Sequence, residues 1–82
     1  MPHSRKVTKE DEYRLLQMGL NEAFYRSFAG YTQEELAEAC GMSRTYISKV
    51  EVPNMVSVIS LPALFRLADV LGVEPARLLE TR

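Results

Sequence analysis

The chain has one cysteine, one histidine and no tryptophan in 82 residues. A single thiol forms no internal disulfide, so nothing ties the fold to an oxidising compartment. Cys40 and His3 make no zinc site, which needs four ligands or three and a water. A catalytic dyad would need the same two side chains close together and ordered, yet His3 lies in an expected mobile tail (residues 1–7) and Cys40 on the apolar side of an expected helix. No apolar run approaches the ~20 residues of a membrane span, and the polar, basic N-terminus has no apolar segment to act as a secretory signal. The four glycines are scattered and build no phosphate-cradling loop. Repeats and low-complexity tracts are missing too. These absences point away from an enzyme, a metal or cofactor protein and a membrane protein, and make the cytoplasm the expected location.

What is present suits one small folded unit. Forty-six per cent apolar residues can form a core and 26% charged residues can keep it soluble, while 82 residues leave room for a single domain, taken as residues 8–82. The spacing predicts five helices and an all-α fold. Thr8 with Asp11 opens a helix running to about Phe28, with Leu16, Leu20, Phe24 and Phe28 on one stripe. Ala29-Gly30-Tyr31 breaks it. Two short helices follow at about 33–40 and 44–52, and Pro53 disfavours continuation. Ser60 caps a fourth, in which Pro62 sits harmlessly in the first turn and Leu61, Leu64, Phe65, Ala68 and Leu71 form the core face up to Gly72. Pro75 to Glu80 makes a short last helix with Leu78 and Leu79 to bury.

The most informative stretch is residues 32–51. Thr32 and Glu35 have capping-box spacing, and Leu36, Ala37 and Cys40 share a face. Ala37 is small where a steeply crossing helix must approach. Gly41 sits where the chain leaves the helix, Met42 can plug the turn, and Ser43 caps a second helix that buries Ile47 and Val50. Arg44, Thr45, Ser48 and Lys49 are left facing outward. Two helices so joined, the second opening with polar and basic side chains, can present one helix end to a DNA major groove.

Thr32-Gln33-Glu34-Glu35-Leu36-Ala37 and Ser43-Arg44-Thr45-Tyr46-Ile47-Ser48, with Leu67-Ala68 and Leu71-Gly72-Val73 downstream, resemble the helix-turn-helix core of the Cro and phage-repressor (XRE-like) regulators. The resemblance covers roughly residues 20–79. It implies a five-helix repressor-like domain and a sequence-specific, double-stranded DNA-binding transcriptional regulator. The net charge of −1 is low for a DNA binder, whose domain pI is usually above ~9, but charge placement answers this. Glu34, Glu35 and Glu38 load the first motif helix as a solvated face. The second carries Arg44 and Lys49 with no acid before Glu51, and Arg5, Lys6 and Lys9 add a basic N-terminal stretch.

Carried over position by position, the resemblance implies that Gln33 sets its amide against a phosphate. Arg44 and Thr45 match the first base-contacting positions, where arginine can pair with guanine and a threonine methyl suits thymine. Lys49 reaches a base edge or a phosphate, with phosphate preferred. Ser43 and Tyr46 contact the DNA backbone, Tyr46 alternatively packing half-buried, and Ser48 touches a base or faces solvent. Arg26 and Glu51 match family positions that pair across the domain.

Two departures from the family stand out. Glu22 occupies a position where an apolar residue is usual. The loop Val52-Pro53-Asn54-Met55-Val56-Ser57-Val58-Ile59 is apolar and about two residues longer than the common polar, glycine-containing form. It either tucks onto its own core or forms a subunit contact. The second reading predicts a homodimer through Met55, Val56, Val58, Ile59, Leu78 and Leu79, and a near-palindromic operator. The alternative function is an antitoxin-type or other protein-interaction module on the same fold, with residues 1–12 as the one candidate arm for a protein partner.

Overall fold

The computed structural model describes residues 7–52 and 59–81, folded as α1 (Lys9–Phe28), α2 (Gln33–Cys40), α3 (Arg44–Glu51), α4 (Leu61–Leu71) and α5 (Pro75–Leu78). There is no strand among the described residues. His3, Arg5, Lys6, Met55, Val56 and Val58, and with them all but the last residue of the predicted tail and most of the predicted contact loop, lie outside the described residues.

Four of the five helix starts follow from a side-chain cap that satisfies amides the helix itself cannot, while α5 opens at Pro75 without one. Thr8 Oγ1 accepts from the Asp11 amide at 3.1 Å, Ser43 Oγ from Tyr46 at 3.0 Å, and Ser60 Oγ from Ala63 at 3.2 Å. At α2 the box is reciprocal: the Glu35 amide donates to Thr32 Oγ1 at 3.0 Å, and the Thr32 amide to Glu35 Oε1 at 2.9 Å. Gly41, at φ 69°, turns the chain out of α2 in the left-handed conformation. The Met42 amide then reaches back to the Ala37 carbonyl at 2.8 Å, which sets the tight turn into α3.

Leu36, Ala37 and Cys40 from α2 meet Ile47 and Val50 from α3, over Leu64, Leu67, Ala68 and Leu71 from α4, with Met18 and Leu78 completing the core. The α2–α3 pair therefore rests on a platform of the other three helices. Helix ends differ slightly from the sequence reading: α3 stops at Glu51 with Val52 as its cap, and α5 at Leu78.

Two faces need correction. On α4 the buried residues are Leu64, Leu67, Ala68 and Leu71, while Leu61 and Phe65 are exposed. On α1 the difference is larger. Its apolar stripe does not face the core: Leu20, Phe24 and Phe28 are exposed, Phe28 to 82%. The buried face is Met18, Gly19, Asn21 and Glu22, with Tyr25 and Arg26 partly buried beside it. The spacing 18, 21, 22, 25 is helical, but polar groups occupy half of it.

Candidate functional site

Helix α3 presents two chemically distinct sides. Ile47 and Val50 are buried, 0% and 4% exposed, whereas Ser43, Arg44, Thr45 and Lys49 are exposed along its leading part. Ser48 is half-buried. Tyr46 is half-buried and packs against the core. Ser43 spends its hydroxyl oxygen capping Tyr46, although its O–H remains able to donate. A shallow open depression between α2 and α3 is lined by Glu34, Glu35, Glu38, Met42 and Arg44. Acids of α2 thus flank the start of α3.

Two helices, α1 and α2, fix the far end of α3 through one carboxylate. Arg26 of α1 donates from Nε to Glu51 Oε2 at 2.7 Å and from Nη2 to Oε1 at 3.0 Å, the two-point geometry that suits guanidinium and carboxylate. The third guanidinium nitrogen, Nη1, bonds the Tyr31 carbonyl at 2.8 Å, at the loop before α2. Gln33, at the first position of α2, donates from Nε2 to Glu51 Oε1 at 2.9 Å. Its amide is therefore half-buried and committed on one hydrogen, with the second still able to donate. At the start of a helix its backbone N–H also has no intrahelical partner.

The electrostatics follow from burial and partners. Burial pushes Glu51 up, but hydrogen bonds from Arg26, Glu22 and Gln33 outweigh it and hold its carboxyl below the ordinary value. Arg26 is raised by the same bond to Glu51, against a smaller opposing effect of burial. Glu22 goes the other way. Desolvation first, then the neighbouring Glu51, push its carboxyl up to about 9. Burial raises the Cys40 thiol as well, as befits an inert core residue.

Three residues set this geometry; sequence reasoning missed Gly19 and Asn21 and noted Glu22 only as a departure from the family. A Cβ built on Gly19 would collide with the Val50 carbonyl oxygen, so this glycine lets α1 cross α3 at backbone contact. Buried Asn21 donates from Nδ2 to the Leu78 carbonyl at 3.1 Å and the Glu80 carbonyl at 2.6 Å, and accepts from Gln17 at 3.1 Å, tying α5 to α1. Glu22 is completely buried. A glycine and an asparagine in the interior of a long helix, where both are poor formers, were the available signals.

Of the residues expected at a subunit contact, Leu78 is fully buried in its own chain and offers no surface. Leu79 is 55% exposed and Ile59 half-buried. Both line a small apolar cleft with Leu15, Met18, Leu61 and Leu64. No group of three or more His, Cys, Asp or Glu poised for a metal occurs among the described residues, and no described helix is long and apolar enough to cross a membrane.

The helix-turn-helix family pattern matches residues 29–78, which hold α2, α3, α4 and α5. A hypothetical transcription factor of Neisseria meningitidis serogroup B is 39% identical over 62 residues; these are 76% of this chain but 57% of that protein, so the chain spans little more than half its relative's length. The restriction-modification controller protein C.AhdI from Aeromonas hydrophila superposes with a TM-score of 0.72 at 33% identity, covering 78% of this chain and 94% of that one. SinR, a master regulator for biofilm formation solved in complex with DNA, gives 0.71 at 33% identity, over 77% and 98%. All three carry the names of regulators, not enzymes. With that pattern spanning its capped α2, the Gly41 turn and the exposed face of α3, the chain belongs to the helix-turn-helix family and has the DNA-binding fold of transcription regulators.

Proposed function

We propose that this chain is a sequence-specific, double-stranded DNA-binding transcription regulator that acts as a homodimer and lays α3 in the major groove. The observation that carries the reading is the division of α3: Arg44 and Thr45 point outward at its leading end, while Ile47, Val50 and the clamped Glu51 hold its other side. Arg44 and Thr45 read base edges, Lys49 holds phosphate, and Ser43, Tyr46 and Ser48 line the approach. Gln33 meets a phosphate from the start of α2, with its side chain already oriented by Glu51. The two-fold contact is built around the apolar cleft at Ile59, Leu61 and Leu79, and the apolar sequence adds Met55, Val56 and Val58 to it. It sets two α3 helices about one DNA turn (~34 Å) apart on a near-palindromic site. Such a regulator works in the cytoplasm, on the nucleoid.

Selection of bound duplexes from a random pool, followed by titrations at several salt concentrations, tests the assignment. Arg44→Ala is expected to cost ~1–3 kcal/mol on the selected site and relax specificity at one base pair; Lys49→Ala weakens selected and random DNA alike and lowers the salt slope by about one unit. Unchanged affinity in Arg44→Ala would sink the placement of α3. Sedimentation of Leu61→Asp/Leu79→Asp addresses assembly: a variant that still dimerises excludes this face as the contact.

One observation favours a second reading, a protein-interaction module: the outward stripe of Leu20, Phe24 and Phe28, with Phe24 and Phe28 stacked at 6.1 Å, is more apolar than a solvated helix face requires. The same selection separates the two, because a chain that only binds protein enriches no duplex.

A further inference from the structure

Glu22 is an acid with no place to put a charge. Its side chain has 0% exposure, and neither carboxyl oxygen meets a donor among the described residues. Its charged or titratable neighbours are few. Glu51 faces it from α3, Arg26 lies one turn along α1, and the Cys40 thiol is near from α2. Arg26 does not serve it, since Nε and Nη2 are committed to Glu51 and Nη1 to the Tyr31 carbonyl. The carboxylate that faces Glu22 is that of Glu51, on the end of α3 that α1 crosses at Gly19, and it already accepts from Arg26 and Gln33. Two neighbouring carboxylates in a buried site do not both ionise. Glu51, with three donors on it, is the one that keeps the charge. Glu22 is then a neutral acid, and a neutral acid has one O–H to donate.

We propose that Glu22 is a positioning residue for DNA recognition: buried as a neutral carboxylic acid, it donates a hydrogen bond to Glu51 and fixes the carboxylate that joins Arg26, Gln33 and the end of α3. The idea rests on the DNA-binding reading above and deepens it. With Glu22 in place, Glu51 is held from α1 twice and from α2 once, so α3 and the phosphate-facing amide of Gln33 share one anchor. An apolar residue at position 22 would fill the same space but leave Glu51 one donor short.

The proton makes the arrangement testable. Glu22 titrates near its ordinary value of 4.5 in the unfolded chain and near 9 in the fold. The folded state therefore binds this proton more tightly. The stability it contributes is complete below the ordinary carboxylate range and is lost as pH rises toward about 9. Glu51, held low, contributes in the opposite sense, its stabilisation fading as pH falls through its depressed value.

Wild type, Glu22→Gln and Glu22→Met are compared on one selected duplex from pH 7 to 10, with circular dichroism in the same buffers to record folding and side-chain carboxyl 13C shifts to record the Glu22 titration. Whatever alkaline effects the three proteins share cancel in the comparison. Glu22→Gln keeps a donor without the proton: it is expected to bind like wild type at pH 7 and to escape the alkaline weakening that wild type shows. Glu22→Met has neither donor nor charge; it is expected to fold at least as stably, yet bind DNA about tenfold more weakly (a loss of ~1.4 kcal/mol) at every pH. Parallel pH profiles for wild type and Glu22→Gln, full affinity in Glu22→Met, or a Glu22 carboxyl that titrates at its ordinary value each overturn the proposal. Wild type that enriches no duplex overturns the DNA-binding reading instead, and the carboxyl titration, which needs no DNA, still decides where the proton sits.

Discussion

The two long faces of α1 are the reverse of what a surface helix usually shows. Inward lie Gly19, Asn21, Glu22 and Arg26; outward lie Leu20, Phe24 and Phe28. Neighbouring α4 keeps the ordinary pattern, burying Leu64, Leu67, Ala68 and Leu71. The difference lies in what each helix packs against. Helix α4 meets side chains of the core, where apolar volume is enough. Helix α1 meets the backbone of α3 and a set of buried polar groups, where shape and hydrogen bonding decide. Burial of polar residues is tolerable there because nearly every one is paired: Asn21 uses both amide ends, and Arg26 donates through three nitrogens. Glu22 complies only as a neutral acid.

Breaking the inward face should cost most at Arg26. Arg26→Met leaves Glu51 buried without its cation and facing Glu22, and removal of one partner from such a pair typically costs ~3–5 kcal/mol. Urea denaturation at pH 7 measures it; a loss under ~1 kcal/mol would mean that the pair is effectively solvated.

Gly19→Ala probes shape rather than charge on the same face. Alanine gains about 1 kcal/mol in helix propensity, but its methyl meets the Val50 carbonyl, and overpacking of this kind costs ~1–3 kcal/mol. The expected outcome is a net loss of stability together with weaker DNA binding, since relief requires α3 to move. A stabilised variant would show that the α1–α3 crossing has slack.

The outward face gives the smallest effect. Phe24→Ser/Phe28→Ser removes exposed rings, Phe24 stacked on Phe28 and edge-on to Tyr25, so denaturation should shift by no more than ~0.5 kcal/mol per site. DNA affinity should stay as it was. A large loss of stability would mean that the stripe is covered in solution, and sedimentation of the wild type would show by how much the assembly exceeds one chain.

Residues 32–51 were legible because their rules are local. Thr32, Glu35, Gly41 and Ser43 each act within four residues of themselves, and the period of Leu36, Ala37, Cys40, Ile47 and Val50 declares which sides are buried. The outward direction of Arg44 and Thr45 follows from the same period. On α1 periodicity pointed to the wrong face, since the i, i+4 run of Leu16, Leu20, Phe24 and Phe28 is as regular as any core stripe.

By itself, then, the sequence determined the five helices, their caps, the tight turn and the exposed end of α3, all consequences of chain chemistry over a few residues. Tertiary structure alone decided which face of α1 turns inward, that Leu78 is core while Leu79 is surface, and that Glu22 lies beside Glu51. Those outcomes depend on partners far apart in the chain, Gly19 with Val50, Asn21 with Leu78 and Arg26 with Glu51. Hydropathy counts how much a residue favours leaving water; it carries no record of a backbone close enough to exclude a Cβ, or of a buried carboxylate waiting for donors.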